Sequence, residues 1–213
     1  MKLYYLIKYI ASKGKPIIFS TGISSEEDIK LAIKTVRDEG NDQIALLKCT
    51  SSYPAPFDEA NLTMIKDFKN KFNVITGLSD HTLGLISPII ATTLGARIIE
   101  KHLILNKNIE SPDSSFSLSK DEFKEMVDAV RKTEKAIGKV DYNLTDTQKN
   151  GKNFSRSLYI CEDVKEGEII TKNNIRSVRP GFGLHPKFYY KILGKKFKRN
   201  LNSGDRLKIE DIN

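Results

Sequence analysis

The strongest constraint on how this chain can fold is a strand-then-helix unit that recurs four times in its first 140 residues. Lys15-Pro16-Ile17-Ile18-Phe19-Ser20-Thr21-Gly22 reads as a short buried strand closing on polar residues. Ser24 then offers an N-cap with Glu27 three residues on, and Ile29, Ala32, Ile33 and Val36 recur at helical spacing until Gly40. The unit repeats as a strand from Gln43 to Thr50 and a helix from Leu62 to Phe68, then a strand from Asn73 to Leu78 and an unusually apolar helix from Thr82 to Leu94. A fourth strand, Ala96 to His102, leads to an amphipathic helix from Lys120 to Ile137 that stops at Gly138. Right-handed helical crossovers are the standard way to join strands over such distances, so the four strands are expected to pair in parallel.

Even spacing and polar residues at each strand's C-terminal end favour an α/β fold of the (β/α)8 TIM-barrel type over an open nucleotide-binding sheet, which would need a glycine-rich first turn. Four units make the C-terminal half of such a barrel. The remaining four come from another chain, or the N-terminal half is missing from this one. Asp141 to Phe154 is polar and aperiodic and reads as a linker. Beyond it come short β-type runs with an internal echo, Gly167-Glu168-Ile169-Ile170 to Ile175 against Gly204-Asp205-Arg206-Leu207 to Ile212. Two similar turn-strand-turn elements are expected to pair around a small core. The expected organisation is therefore a half barrel over 1–140, a linker over 141–154 and a small β-rich domain over 155–213.

Composition narrows the partners. The formal net charge is +8, and the last 63 residues hold 14 Lys+Arg against 7 Asp+Glu, so almost all of the excess lies there. That segment lacks the aromatic platform or helical basic stripe of a nucleic-acid binder, which leaves an anionic small molecule or a solvated basic face. No apolar run approaches the ~18 residues of a membrane span, and the N-terminus has no signal-peptide core, so a cytoplasmic location without membrane contact is expected. Cys49 and Cys161 are far apart in apolar contexts and read as reduced packing residues.

Residues just past each strand of a parallel barrel converge on one mouth, which would gather Ser20-Thr21, Thr50-Ser51-Ser52-Tyr53, Ser79-Asp80-His81 and Glu100 with His102. Two of the three histidines in the chain stand there, each beside a carboxylate. Two neutral imidazoles suit a divalent metal that polarises a carbonyl oxygen, while hydroxyls and backbone N–H groups suit a phosphate or carboxylate. The plainer alternative makes both histidines hydrogen-bonded turn residues.

The residues that carry a resemblance are Gly14 to Gly22, Cys49-Thr50-Ser51-Ser52-Tyr53-Pro54, Gly77-Leu78-Ser79-Asp80-His81-Thr82, Ile99-Glu100-Lys101-His102 and Ser177-Val178-Arg179-Pro180-Gly181. Together, nearly end to end and in family order, they resemble the sialic acid synthase family, which condenses phosphoenolpyruvate (PEP) with an N-acetylated amino sugar. The resemblance implies a (β/α)8 barrel followed by a SAF domain, similar to type III antifreeze protein. It implies His81 and His102 as ligands of a catalytic Mn2+ or Mg2+, with no organic cofactor, and Glu100 as an active-site carboxylate. It implies Ser20 and Ser79 as PEP contacts, and Tyr53 and Asp113 as sugar contacts. Arg179 resembles an arginine that reaches the partner's barrel in a domain-swapped homodimer. The reaction so implied joins C3 of PEP to the sugar's aldehyde carbon with metal assistance, adds water at C2 and releases phosphate by C–O cleavage.

Each assignment has a plainer counterpart: Ser20 and Ser79 as turn caps, Tyr53 as a packed loop aromatic, Arg179 as a solvated charge and Glu100 as a strand-end carboxylate pairing with Lys101 or a neighbour. Ser51 stands where neuraminic acid synthases carry asparagine, and Asp113-Ser114-Ser115-Phe116-Ser117-Leu118 is similar to the pseudaminic acid synthases. Loss of the amide at the substrate-binding position Ser51 would alter recognition of the sugar's substituents, which favours pseudaminic acid, made from a 2,4-diacetamido-2,4,6-trideoxy hexose, over N-acetylneuraminate or another nonulosonic acid. The family's early lysines and glutamate for PEP would precede Met1. That position is therefore expected to be an internal start or an assembly break, and the chain alone to be unstable or inactive with its half-barrel edges exposed. A non-enzymatic binding or assembly remnant is the alternative from another class, and a glycan- or ice-binding β domain is a third.

Overall fold

The computed structural model describes residues 2–213 and divides into two compact units, one ending at Lys139 and the other Val140–Asn213. The first unit runs α1 (Lys2–Ala11), β1 (Ile17–Ser20), α2 (Glu26–Asp38), β2 (Ile44–Cys49), α3 (Met64–Phe72), β3 (Ile75–Asp80), α4 (Ile86–Thr93), β4 (Ile98–Lys101) and α5 (Lys120–Ile137). Its four strands pair in parallel in the order β1-β2-β3-β4, the half barrel expected from the alternation of elements. One face of the sheet is covered by helices. Ile17, Ile44 and Leu46 pack there against Ile29, Ile33, Val36, Phe68 and Phe72, and each fully buried aliphatic contributes about 1.5–3 kcal/mol. Side chains alternate along a strand, so neighbouring positions point the other way; Ile18 and Ile75 are each 55% exposed.

Element boundaries differ from the sequence reading for local reasons. The N-cap of α2 is Ser25, not Ser24, and its capping box closes on Asp28, because the Ser24 N–H is already bonded to the Thr21 carbonyl in the turn after β1. Helix α4 begins at Ile86 rather than Thr82. The Asp80 carboxylate accepts from both the N–H and the hydroxyl of Thr82, which holds the intervening residues in a loop. Helix α3 starts later than Leu62 and runs to Phe72, ending where Asn73 adopts φ 52. Helix α5 matches its expected span, with a Ser119–Glu122 capping box at its start and Gly138 at φ 53 after its end.

The second unit opens with a short helix, α6 (Asp146–Gly151), inside the stretch that reads as an aperiodic linker. Its start is a reciprocal pair: the Gln148 side chain accepts from the Thr145 N–H, and the Thr145 hydroxyl from the Gln148 N–H. Strands β5 (Ser157–Ile160) and β6 (Ile175–Val178) pair antiparallel, and α7 (Tyr189–Ile192) follows. The two echoing segments begin alike, with Gly167 at φ 82 and Gly204 at φ 90. They meet through β5 rather than through each other: Ile160 pairs with Ile175 on one side, and Tyr159 bridges Arg206 on the other. Ile170, Ile175, Leu207 and Ile212 all enter one core around Leu158 and Phe197, as the repeat implied.

Gly77 in β3 is where the sheet admits no side chain. A Cβ there would stand against the Ile98 carbonyl oxygen and 2.5 Å from Leu47 Cδ2. Gly77→Ala is expected to lower the stability of the first unit by about 1–3 kcal/mol, read as an earlier urea midpoint at 222 nm; an unchanged midpoint would show that the sheet relaxes freely here.

Candidate active site at the strand ends

The parallel register aligns the C-terminal strand ends. Cys49 lies beside Ser79, Ser79 beside Glu100, and Asp80 beside Lys101. His81 and His102 each follow directly on an aligned pair, and their rings stand with centroids 5.2 Å apart in an edge-on arrangement. His81 is buried and fixed at two points. Its Nδ1 lies 2.9 Å from the Thr50 carbonyl oxygen, and its own carbonyl accepts from the Ala55 N–H. A carbonyl can only accept, so Nδ1 carries a proton, and in the neutral ring Nε2 keeps the lone pair. His102 Nδ1 lies 3.3 Å from Asp113 Oδ2, within ion-pair distance.

Aromatic rings line the pair. Tyr53 stacks on His81 at 4.1 Å between centroids and stands 6.1 Å from His102, while Phe116 lies 4.9 Å from His102 and 5.5 Å from Tyr53. The buried Ser79 hydroxyl donates to Glu100 Oε1 at 2.7 Å, so this serine and carboxylate form one unit at the mouth. Glu100 therefore pairs with Ser79, and Lys101 turns to Asp80. Six of the expected site residues (Tyr53, Ser79, His81, Glu100, His102 and Asp113) thus gather on β3, β4 and the two loops that return to them. Ser20 ends β1 as an exposed residue, and Ser51 lies in the loop after β2, its hydroxyl near Gly22. Among the described residues neither is hydrogen-bonded to His81 or His102. Arg179 belongs to the second unit, exposed just after β6, where the buried Ser157 hydroxyl ties its loop by donating to the Pro180 carbonyl and accepting from the Gly183 N–H.

Asp80, expected at the mouth with Ser79 and His81, instead faces the helix-covered side of the sheet with Lys101, because side chains alternate along β3. Lys101 Nζ lies 2.6 Å from Asp80 Oδ2 and 2.6 Å from the Thr82 carbonyl oxygen, with both charged side chains only 1% exposed. Lys48, also buried, donates to the Cys49 carbonyl and the Thr50 hydroxyl, and burial pushes its ammonium below the ordinary lysine range. Phe116 was legible only as part of a motif; its place against His102 follows from the loop that Leu103 and Leu118 close by a parallel bridge.

Residues 1–142 match the NeuB family model, and residues 155–213 match the SAF domain model. The chain belongs to the NeuB family. Among similar NeuB-family proteins, the pseudaminic acid synthase of Campylobacter jejuni subsp. jejuni is 49% identical over 206 residues, which are 97% of this chain and 60% of that protein. The pseudaminic acid synthase of Helicobacter pylori is 44% identical over 208 residues, 97% of this chain and 61% of the relative. The crystal structure of the Bacillus subtilis spore coat polysaccharide biosynthesis protein SpsE is 35% identical with a TM-score of 0.61, covering 99% of this chain and 64% of that one. The chain thus spans about 60% of the length of the curated relatives it matches. Among the described residues no helix is long and apolar enough to cross a membrane.

Removing one partner from a buried ion pair strands the other in a dry environment. Lys101→Met is expected to cost about 3–5 kcal/mol in urea unfolding followed at 222 nm, and the double change Asp80→Asn/Lys101→Met to recover most of that loss. Equal midpoints for Lys101→Met and the unaltered chain would show that water reaches the pair.

Proposed function

We propose that this chain carries the sugar-binding and metal-binding portion of a pseudaminic acid synthase, which condenses PEP with a 2,4-diacetamido-2,4,6-trideoxy hexose to give pseudaminic acid and phosphate. The observation that carries the reading is the imidazole pair. Two rings 5.2 Å apart, His81 with Nδ1 on the Thr50 carbonyl and His102 with Nδ1 beside the Asp113 carboxylate, would as neutral imidazoles offer their Nε2 lone pairs to a ligand. Among the described residues no group of three or more His, Cys, Asp or Glu side chains is arranged to hold a metal. A divalent ion on His81 and His102 would therefore take its remaining ligands from water and substrate, as an ion that must accept a sugar oxygen requires.

Mn2+ or Mg2+, when bound, supplies Lewis acidity at the sugar's aldehyde oxygen. The protein's own groups do the rest. Tyr53 and Phe116 wall the imidazoles and offer flat apolar faces to a deoxy sugar. Glu100, held by the Ser79 hydroxyl, stands as the carboxylate that can take or return a proton at the reacting carbons. Asp113 orients His102 and keeps an oxygen for a sugar hydroxyl. Ser20 and Ser51 are assigned to PEP and to the sugar's substituents, respectively, and Arg179 to substrate from the second unit. A domain-swapped homodimer is the assembly in which that arginine would serve a partner's site. High identity to two pseudaminic acid synthases supports this sugar over N-acetylneuraminate-type substrates.

The test is phosphate release from PEP with each candidate sugar and Mn2+. It is run on the chain alone and with the portion of a relative that the chain does not cover supplied as a separate polypeptide. Sugar-dependent release is expected in the second arm, fastest with the diacetamido trideoxy hexose, abolished by EDTA and reduced at least about 100-fold by His102→Ala. No sugar-dependent phosphate in either arm would overturn the proposal in favour of a binding or assembly module.

A further inference from the structure

We infer that the buried Asp80–Lys101 pair is the positioning device that sets the spacing of His81 and His102, rather than a structural ion pair that happens to lie nearby; the inference rests on the metal reading only for what the spacing is used for. Four contacts carry it. Lys101, the residue before His102, binds Asp80, the residue before His81, at 2.6 Å. The same ammonium reaches the carbonyl of Thr82, the residue after His81, also at 2.6 Å. Asp80 Oδ1 in turn takes the Thr82 N–H at 2.9 Å and the Thr82 hydroxyl at 2.8 Å. Residues on both sides of one imidazole are thereby tied to the residue that precedes the other.

The location favours a purpose beyond stability. Backbone pairing between β3 and β4 ends at Asp80 and Lys101, so past that point the ladder no longer fixes how the two chains diverge. An aliphatic pair would fill the same volume at lower desolvation cost, yet it would hold no carbonyl and no N–H of the following turn. The charged pair, unlike a hydrophobic one, is directional: a lysine donating to a carboxylate and a carbonyl at once fixes where the peptide of residue 82 stands. Beyond that tie, His81 has the Thr50 carbonyl at its ring Nδ1, the Tyr53 ring on its face, Cys49 Sγ 4.0 Å from Nδ1 and the Ala55 N–H on its own carbonyl. Because both side chains are 1% exposed, water has no access to take over these bonds.

The experiment compares the unaltered full chain with Asp80→Asn/Lys101→Met, which removes both charges without stranding either, and with Thr82→Val, which leaves the ion pair and deletes only the hydroxyl. The first readout needs no metal. Long-range 1H–15N spectra report the tautomer and environment of each histidine, and His185 in the second unit serves as an internal control. The ring signals of His81 and His102 are expected to shift or broaden in the double variant, and to a lesser degree in Thr82→Val, while His185 stays in place. The second readout is Mn2+ binding, followed by loss of the free-ion EPR signal, with an expected weakening of about 10- to 100-fold in the double variant. Superimposable His81 and His102 signals in a folded double variant would overturn the positioning role. If the double variant does not fold, Thr82→Val decides in the same way. Shifted rings together with an unaltered chain that binds no Mn2+ would uphold the positioning role and overturn the metal reading instead.

Discussion

The pairing of β3 with β4 is the contact on which the rest of the site depends. Because side chains alternate along a strand, this one register sends Ser79 and Glu100 to the open face and Asp80 and Lys101 to the face covered by helices. The polar pair on the open side is a neutral hydroxyl on a carboxylate; the pair on the covered side is a full ion pair. A slip of one residue would exchange them, burying a lone glutamate under the helices and turning the lysine out. The energetic penalty of that exchange is what makes the register definite at the strand ends, where side-chain packing alone is weakest.

Two lysines buried behind a parallel sheet are unusual in a chain whose excess positive charge otherwise lies in its last third. Lys48 and Lys101 sit near the ends of β2 and β4, on either side of β3, and each directs one hydrogen bond to the end of a strand and one to the loop that follows it. Lys48 holds the loop that provides the Thr50 carbonyl, and Lys101 holds the loop that provides His81. The loops of a (β/α) unit carry function and the strands carry rigidity, and these lysines are where rigidity is passed from one to the other. The aromatic wall of Tyr53 and Phe116 completes the arrangement from the outside, lining the faces of the two imidazole rings.

The second unit solves a different problem. With few residues and short strands it has little core to spare, and it repeats one glycine-initiated turn on either side of β5 so that four aliphatic residues reach a common centre. Ser157, buried at the start of β5, supplies both a donor and an acceptor to the loop beyond β6 and so fixes the backbone on which Arg179 is mounted.

The amino-acid sequence by itself determined the elements and their class. The four strands of the first unit, their parallel pairing, the glycine-terminated α5, and the adjacency of the two histidines were all legible, because each follows from periodicity or from the order of the elements. Membership of a family of synthases was legible too, from motifs spread along the whole chain. What only the tertiary structure decided was the choice of partners. Nothing local distinguishes Asp80 from Glu100 as the mate of Lys101; the two carboxylates are separated by the register of β3 on β4, which sorts them to opposite faces. Nor does any spacing reveal that Asp113 meets His102 or that Phe116 and Tyr53 share a wall. These contacts join residues brought together by folding, and their energies depend on burial, which a linear pattern does not encode.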